Sequence, residues 1–329
     1  MTPGLGHYLW PPRWVGAPPA NAEAIAEGAG VGSLEDVIFA ADDLPDGLRS
    51  RVHRDGLLAY DFGSSPDGSD AFAAHAARVQ IINAHLACLK ASLISEMYVA
   101  PATRESVIGM TTDEAWAFSG GIVAASGDIG MMMMALSRAR LEQPTGGDWR
   151  LTRIGRTVAE DEIERSYVLL RAILELGQPR RTEALLHAEL LVRAQATLSV
   201  EDNAGALVYA WTAAEGMLRG MFSRWVDDCA NAQDAGRDAQ GDKRVFLDTK
   251  RRKELVEGRE MTAWHMTEIL SLVGLLPFEL YRAIRDCTSA RNKWLHTRDL
   301  KALEKAPAAI LAVQELFGLA EGIDLRPSA

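Results

Sequence analysis

This chain of 329 residues is poor in cysteine, has no excess of positive charge and contains no apolar run long enough to span a bilayer. Its three cysteines, Cys88, Cys229 and Cys287, lie far apart and form no CxxC pair. That excludes a disulfide framework and a paired-cysteine zinc site, and makes a reducing cytoplasm the expected location. Asp and Glu number 45 against 35 Lys and Arg, for a formal net charge of −10. Phosphate binding draws on a positive surface, so a general nucleic-acid binder is excluded and any such role must rest on a local patch. The longest apolar candidate, residues 71–99, carries Arg78, Asn83, His85, Lys90 and Glu96 and reads as a core helix, so no membrane contact is expected. Residues 1–16 lack a basic segment followed by an apolar one, so no secretory leader is expected. There is no GxxxxGK[ST], GxSxG or HExxH, and no aromatic-and-basic pattern like that of an RNA-recognition sheet. The glycines at 28, 30 and 32 follow no convincing strand, so they predict no phosphate loop. Neither a cofactor nor a metal is called for.

What is present reads as helix. Hydrophobic residues make up 48% and charged residues 24%, an ordinary balance for a chain with a full core, and the length suits two domains. Residues 1–32, rich in Pro, Gly and Ala with Trp10 and Trp14, predict an irregular arm. Ser33-Leu34-Glu35-Asp36 has capping-box form and predicts a short helix, followed by turns up to Gly68. Val79, Ile82, Leu86, Leu89 and Leu93 recur at steps of three and four and predict a helix over 69–99. A second capping box at Thr111 and a run from Met131 to Met134 predict further short helices, and 160–176 another, stopped by Gly177-Gln178-Pro179. The domain boundary is set there, giving 1–178 as a helical domain of unknown role and 179–329 as a helical bundle. The bundle's helices are expected over 182–198, 201–230, 245–273 with a break near Gly258, 277–295 and 301–321. Pro277 and Pro307 suit helix starts and Gly274 a helix end. The fold class expected is therefore all-α.

Two anomalies interrupt this regularity. In the helix from Pro277, Leu280, Ile284 and Cys287 set the buried stripe, and the next position on it is Arg291. A buried cation without a partner is costly. In the helix from Glu201, Glu215 falls in step with Val208, Trp211, Leu218, Phe222 and Trp225, and a buried glutamate is rare unless paired. Arg291 or His296 is its natural partner, either to orient a site or as an ion pair that only keeps helices in register. Arg291, Asn292 and His296 together supply the chemistry of RNA cleavage. A histidine moves the proton of the 2′-hydroxyl or of the leaving oxygen, and an arginine stabilises the pentacoordinate phosphate. Asn292 and His296 share a helix face, about 40° apart, but Arg291 and His296 differ by about 140°. Either the helix ends between them or they meet across a two-fold interface. Candidate RNA-backbone contacts are Lys293, Arg298 and the basic run Lys250, Arg251, Arg252, whose plainer reading is a solvated helix face.

Arg-to-His spacings of this kind recur at Arg78 and His85, Arg181 and His187, and Arg259 and His265, but none has Asn directly after the Arg and none precedes the last long helix. Arg291-Asn292 followed by His296 in that place resembles the motif of the HEPN superfamily, over about residues 181–323. The Glu215 helix resembles, more loosely, that family's early helix with an acidic position. The resemblance implies a dimeric helical bundle with a composite, metal-independent endoribonuclease site leaving a 2′,3′-cyclic phosphate, of toxin or phage-defence type, with an RNA substrate and an antitoxin or regulatory partner. It equally accommodates a non-catalytic module that dimerises or binds nucleotides or RNA. Residues 1–178 resemble no family.

Overall fold

The structure, a computed structural model, describes residues 3–9, 13–17, 37–54, 56–63, 71–94, 99–103, 106–111, 157–234, 249–258 and 261–327. The chain divides into two compact units, Met1–Arg181 with Pro327–Ala329, and Thr182–Arg326. The helices expected at 112–118 and 131–134, and the glycines at 28, 30 and 32, lie outside the described residues.

The first unit is not all-α. Its described residues contain a five-stranded antiparallel sheet of β1 (Pro3–Tyr8), β2 (Val37–Ala41), β3 (Arg49–His53), β4 (Leu57–Asp61) and β5 (Ile108–Thr111), in the order β2-β3-β4-β1-β5. The arm expected to be irregular contributes β1, and the residues after Asp36 form β2 where a helix was expected. The reason is local. Four of the five residues of β2, Val37, Ile38, Phe39 and Ala40, favour or tolerate a pleated, half-buried surface, and their neighbours on β3 supply the missing hydrogen bonds. At the β3–β4 turn, Gly56 has φ +86, and a Cβ there would lie 2.6 Å from the carbonyl oxygen of Arg13.

Two helices accompany this sheet, α1 (Ala71–Ser92) and α2 (Glu160–Leu174). They pack on each other, and α2 also meets β2. Polar groups between helices and sheet form closed chains. The Tyr60 hydroxyl lies 2.7 Å from His85 Nδ1, and His85 Nε2 lies 3.0 Å from Ser166 Oγ, which donates to the carbonyl of Ile163 at 2.6 Å. With that serine proton committed, Nε2 must donate and Nδ1 accept, so His85 is a neutral imidazole with both nitrogens satisfied. Likewise Ser50 donates to the Ala59 carbonyl at 2.9 Å and receives the Tyr167 hydroxyl at 2.5 Å. Glu162, fully buried, accepts from the amides of Ala159 and Ile94, so the start of α2 is tied to the end of α1.

The second unit is helical throughout its described length: α3 (Arg180–Ser199, its first two residues in the first unit), α4 (Asn203–Asp234), α5 (Thr249–Glu257), α6 (Ala263–Leu272), α7 (Phe278–Thr297) and α8 (Ala306–Glu321), with a 3-10 turn over Leu300–Lys305. Its centre is α4, which buries Leu207, Trp211, Leu218 and Phe222 and packs on α5, α6, α7 and α8. The cap of α4 is Asp202, which accepts from the Gly205 amide at 2.8 Å. Ser199 donates to the Gln195 carbonyl at the end of α3. Glycine inside α4 serves packing: a Cβ on Gly216 would lie 2.4 Å from Nε2 of the buried His187 on α3. Gly274, with φ +79, ends α6, and α7 starts directly after Pro277.

Candidate functional site

α7 carries the Arg-Asn-His constellation. It buries Leu280, Ile284, Cys287, Thr288 and Ala290, and this stripe turns the opposite face outward. Arg291 lies on the continuation of the buried stripe and is half-buried. Its Nη1 donates to Asn292 Oδ1 at 2.9 Å, and among the described residues no carboxylate pairs with it. His296 is exposed in the last turn, as are Lys293 and Arg298 on either side of it. α7 runs without a break to Thr297, so the first of the two geometric possibilities fails. One chain does not bring Arg291 and His296 together by ending the helix between them. Arg298 closes α7 with φ +56, and its guanidinium lies 5.2 Å from the centre of the Trp294 ring.

The other Arg-to-His pairs serve as controls. His85 and His187 are core residues, 1% and 4% exposed. Burial drives both imidazoles to the neutral form, with pKa values of about 3 and about 4, and at His187 the positive charge of Arg224 acts in the same direction. His265 is exposed, and its Nδ1 is held at 3.1 Å by the hydroxyl of Thr262, which caps α6. Of these four histidines, His296 alone is exposed on a face shared with a neighbouring amide side chain of the same motif.

Two expected site residues are corrected. The side chain of Glu215 is 44% exposed, and its ion pair, at 3.9 Å, is with Arg219 one turn along α4. The steps of three and four run along one edge of the buried stripe: Trp211, Leu218 and Phe222 are buried, while Val208, 39% exposed, and Glu215 lie just outside it. Being solvated, Glu215 has no need of Arg291 or His296. Arg252 is likewise engaged: its Nε and Nη2 make a bidentate pair with Asp227 at 2.5 and 2.6 Å, fastening α5 to α4. Lys250 is exposed on α5, and for Arg251 only the backbone is described.

A feature absent from the sequence reading lies at the other end of α7. Phe278 and Tyr281 stack with ring centres 5.9 Å apart, and Arg282 and Arg285 cover rings of the same group. The arginine guanidiniums at i+4 from each ring were the signal available in the sequence. Among the described residues no helix is long and apolar enough to cross a membrane. Compared with known proteins, the chain matches no family model, no curated protein and no solved structure.

Proposed function

We propose that the second unit is a metal-independent endoribonuclease of the HEPN type whose site is completed by a second copy of the chain. The observation that carries the reading is the state of the motif on α7: an exposed His296, with Asn292 on its face, and a half-buried Arg291 that has no carboxylate partner among the described residues. A guanidinium in that condition is suited to a phosphate, whose planar pairs of oxygens it grips bidentately.

RNA brings its own nucleophile. One His296 takes the proton of the 2′-hydroxyl, and the 2′-oxygen attacks the adjacent phosphorus. Arg291 stabilises the added charge on the phosphorane, and the bond to the 5′-oxygen breaks as that oxygen receives a proton. The products are a 2′,3′-cyclic phosphate and a 5′-hydroxyl. Base and acid are needed on opposite sides of the phosphorus, which one histidine serves poorly; a two-fold pairing of α7 ends supplies two. It also answers the 140° between Arg291 and His296 on the unbroken helix. Lys293 and Arg298 flank His296 as backbone contacts, and Lys250 is a more distant one. Asn292 positions the guanidinium. Glu215 and Arg252 have no part in this reading, because each is occupied by another side chain. A toxin or phage-defence role, with an antitoxin or regulatory partner, comes with the HEPN resemblance.

The rival is a bundle that dimerises or binds a nucleotide or RNA without chemistry. It is favoured by the same angle, since one chain does not converge the motif. Total RNA incubated in EDTA with wild type and with His296→Ala separates the two. Cyclic-phosphate ends from wild type, falling by about a thousandfold or more in the variant at unchanged melting temperature, support the enzyme. Intact RNA with both proteins, each folded and self-associated, leaves the binding module.

A further inference from the structure

α7 offers one continuous outward stripe. With Phe278 as origin and about 100° per residue, Arg285, Asn292 and His296 all fall within about 40° of it, and Tyr281 within about 60°. The buried positions Leu280, Ile284 and Cys287 point the other way. The stripe starts with aromatic rings and two arginines, each paired with a glutamate, and ends in the Asn292–His296 pair. Phe278 is 64% exposed, and Trp264, from the start of α6, is 37% exposed. The guanidinium of Arg285 lies over the Trp264 ring and 5.4 Å from the centre of Tyr281, and that of Arg282 lies 6.0 Å from Phe278. Glu268 and the Tyr281 hydroxyl hold Arg285 at 2.9 and 2.7 Å, and Glu279 meets Arg282 at 3.5 Å, so the guanidinium planes are held against the rings.

The electrostatics identify the occupant. The chain as a whole carries −10, yet α7 with its cap Arg298 holds five Lys and Arg against two acidic residues. Glu279 and Glu268 pair Arg282 and Arg285, so the cations with no carboxylate partner among the described residues are Arg291, Lys293 and Arg298, at the His296 end of the stripe. Exposed rings set among arginines match unpaired nucleobases, whose faces stack on rings and guanidinium planes while the backbone follows positive charge. From Phe278 to His296 the stripe runs about 27 Å, the length of several nucleotides.

We infer that Trp264, Phe278, Tyr281, Arg282 and Arg285 form a stacking platform for single-stranded RNA, which delivers an unpaired strand along α7 to His296. The platform rests on the ribonuclease reading for its purpose but not for its test. The probe is a fluorescein-labelled single strand of 2′-O-methyl RNA, roughly a dozen nucleotides long, which has no free 2′-hydroxyl and cannot be cleaved. Fluorescence anisotropy is read with the full-length wild type, Phe278→Ala, Trp264→Ala and the control Leu311→Ala, an exposed apolar position on α8. Each of the first two variants is expected to weaken binding about tenfold, with Leu311→Ala unchanged, and the same sequence as a duplex is expected to bind at least about tenfold more weakly to wild type.

Equal binding by wild type and both platform variants overturns the proposal, and so does a duplex bound as tightly as the single strand. Loss of self-association in Phe278→Ala, measured by light scattering, also overturns it and makes the stripe an interface between copies of the chain. Single-strand binding that depends on Phe278, in a protein that cleaves nothing, keeps the platform and removes the ribonuclease.

Discussion

At Arg291, Asn292 and His296 the residue types were legible in the sequence because their chemistry is intrinsic. An arginine in step with Leu280, Ile284 and Cys287 stands out wherever the helix lies, and it is half-buried in the structure. Glu215 was misread because steps of three and four describe a rim position as well as a deep one, and only the neighbours on other helices separate them. The pairing of Arg252 was not legible because its partner, Asp227, is 25 residues away in sequence. The core histidines lead to a residue-level prediction. His85 has a pKa of about 3 in the fold against the ordinary 6.5, and burial is the cause. Above pH 6.5 it is neutral in folded and unfolded chains alike and contributes no pH dependence. As pH falls from about 6.5 toward 3, the unfolded chain binds a proton that the folded chain refuses, so stability falls as the solution is acidified. The loss is about 2–3 kcal/mol for this histidine between pH 6.5 and 4.5, with His7 and His187 adding losses of the same sign. Urea midpoints of wild type should fall over that range, and His85→Gln should show a slope shallower by about one proton. Parallel slopes for the two proteins would show that His85 takes up its proton in the fold.

At the scale of elements, the helices were easier to read than the strands, and the reason is visible in particular segments. α7 pairs one buried stripe with a recognisable start at Pro277, and Gly274 marks the end of α6, whereas α5 and α6 were expected as one helix over 245–273 broken near Gly258. β3 reads Arg49-Ser50-Arg51-Val52-His53 and buries Ser50, Val52 and His53, so its inward face shows no apolar alternation. β4 is buried at every position, which removes the period of two. The one local signal was Asp55-Gly56 between the two strands, a dipeptide suited to a tight hairpin turn. The join between α3 and α4 invites a test of the same local physics. Glu201 is exposed and sits at φ +63, a conformation that costs an ordinary side chain about 1 kcal/mol and glycine almost nothing. Glu201→Gly, which leaves the Asp202 cap intact, should raise the melting temperature by roughly 2 °C in calorimetry. A lowered melting temperature would mean that the Glu201 side chain stabilises the turn by more than its backbone strain costs.

For the whole molecule the open question is how many chains make one site. A helix continuous through Thr297 separates Arg291 from His296 about its axis, and the proposed ribonuclease therefore draws on a second copy. Subunit mixing reads this directly. In a preparation made by co-expressing equal amounts of wild type and His296→Ala, cleavage at fixed total protein should drop to about a quarter of the undiluted value if both histidines serve one site, because only wild-type homodimers remain competent. A drop to about half would mean that each site uses a single His296.

The sequence by itself determined the helical bundle of the second unit, the motif on its penultimate long helix and the acidic background against which α7 stands out. Periodicity, caps and charge are local quantities, and one chain read end to end contains them. The tertiary structure decided the rest: the sheet of the first unit, the solvation of Glu215, the capture of Arg252 by Asp227, and the aromatic and arginine stripe beside the motif. Each depends on which residues far apart in the chain are pressed together. A strand has no hydrogen-bond partners of its own, and a charged group is costly or harmless according to what the fold places around it.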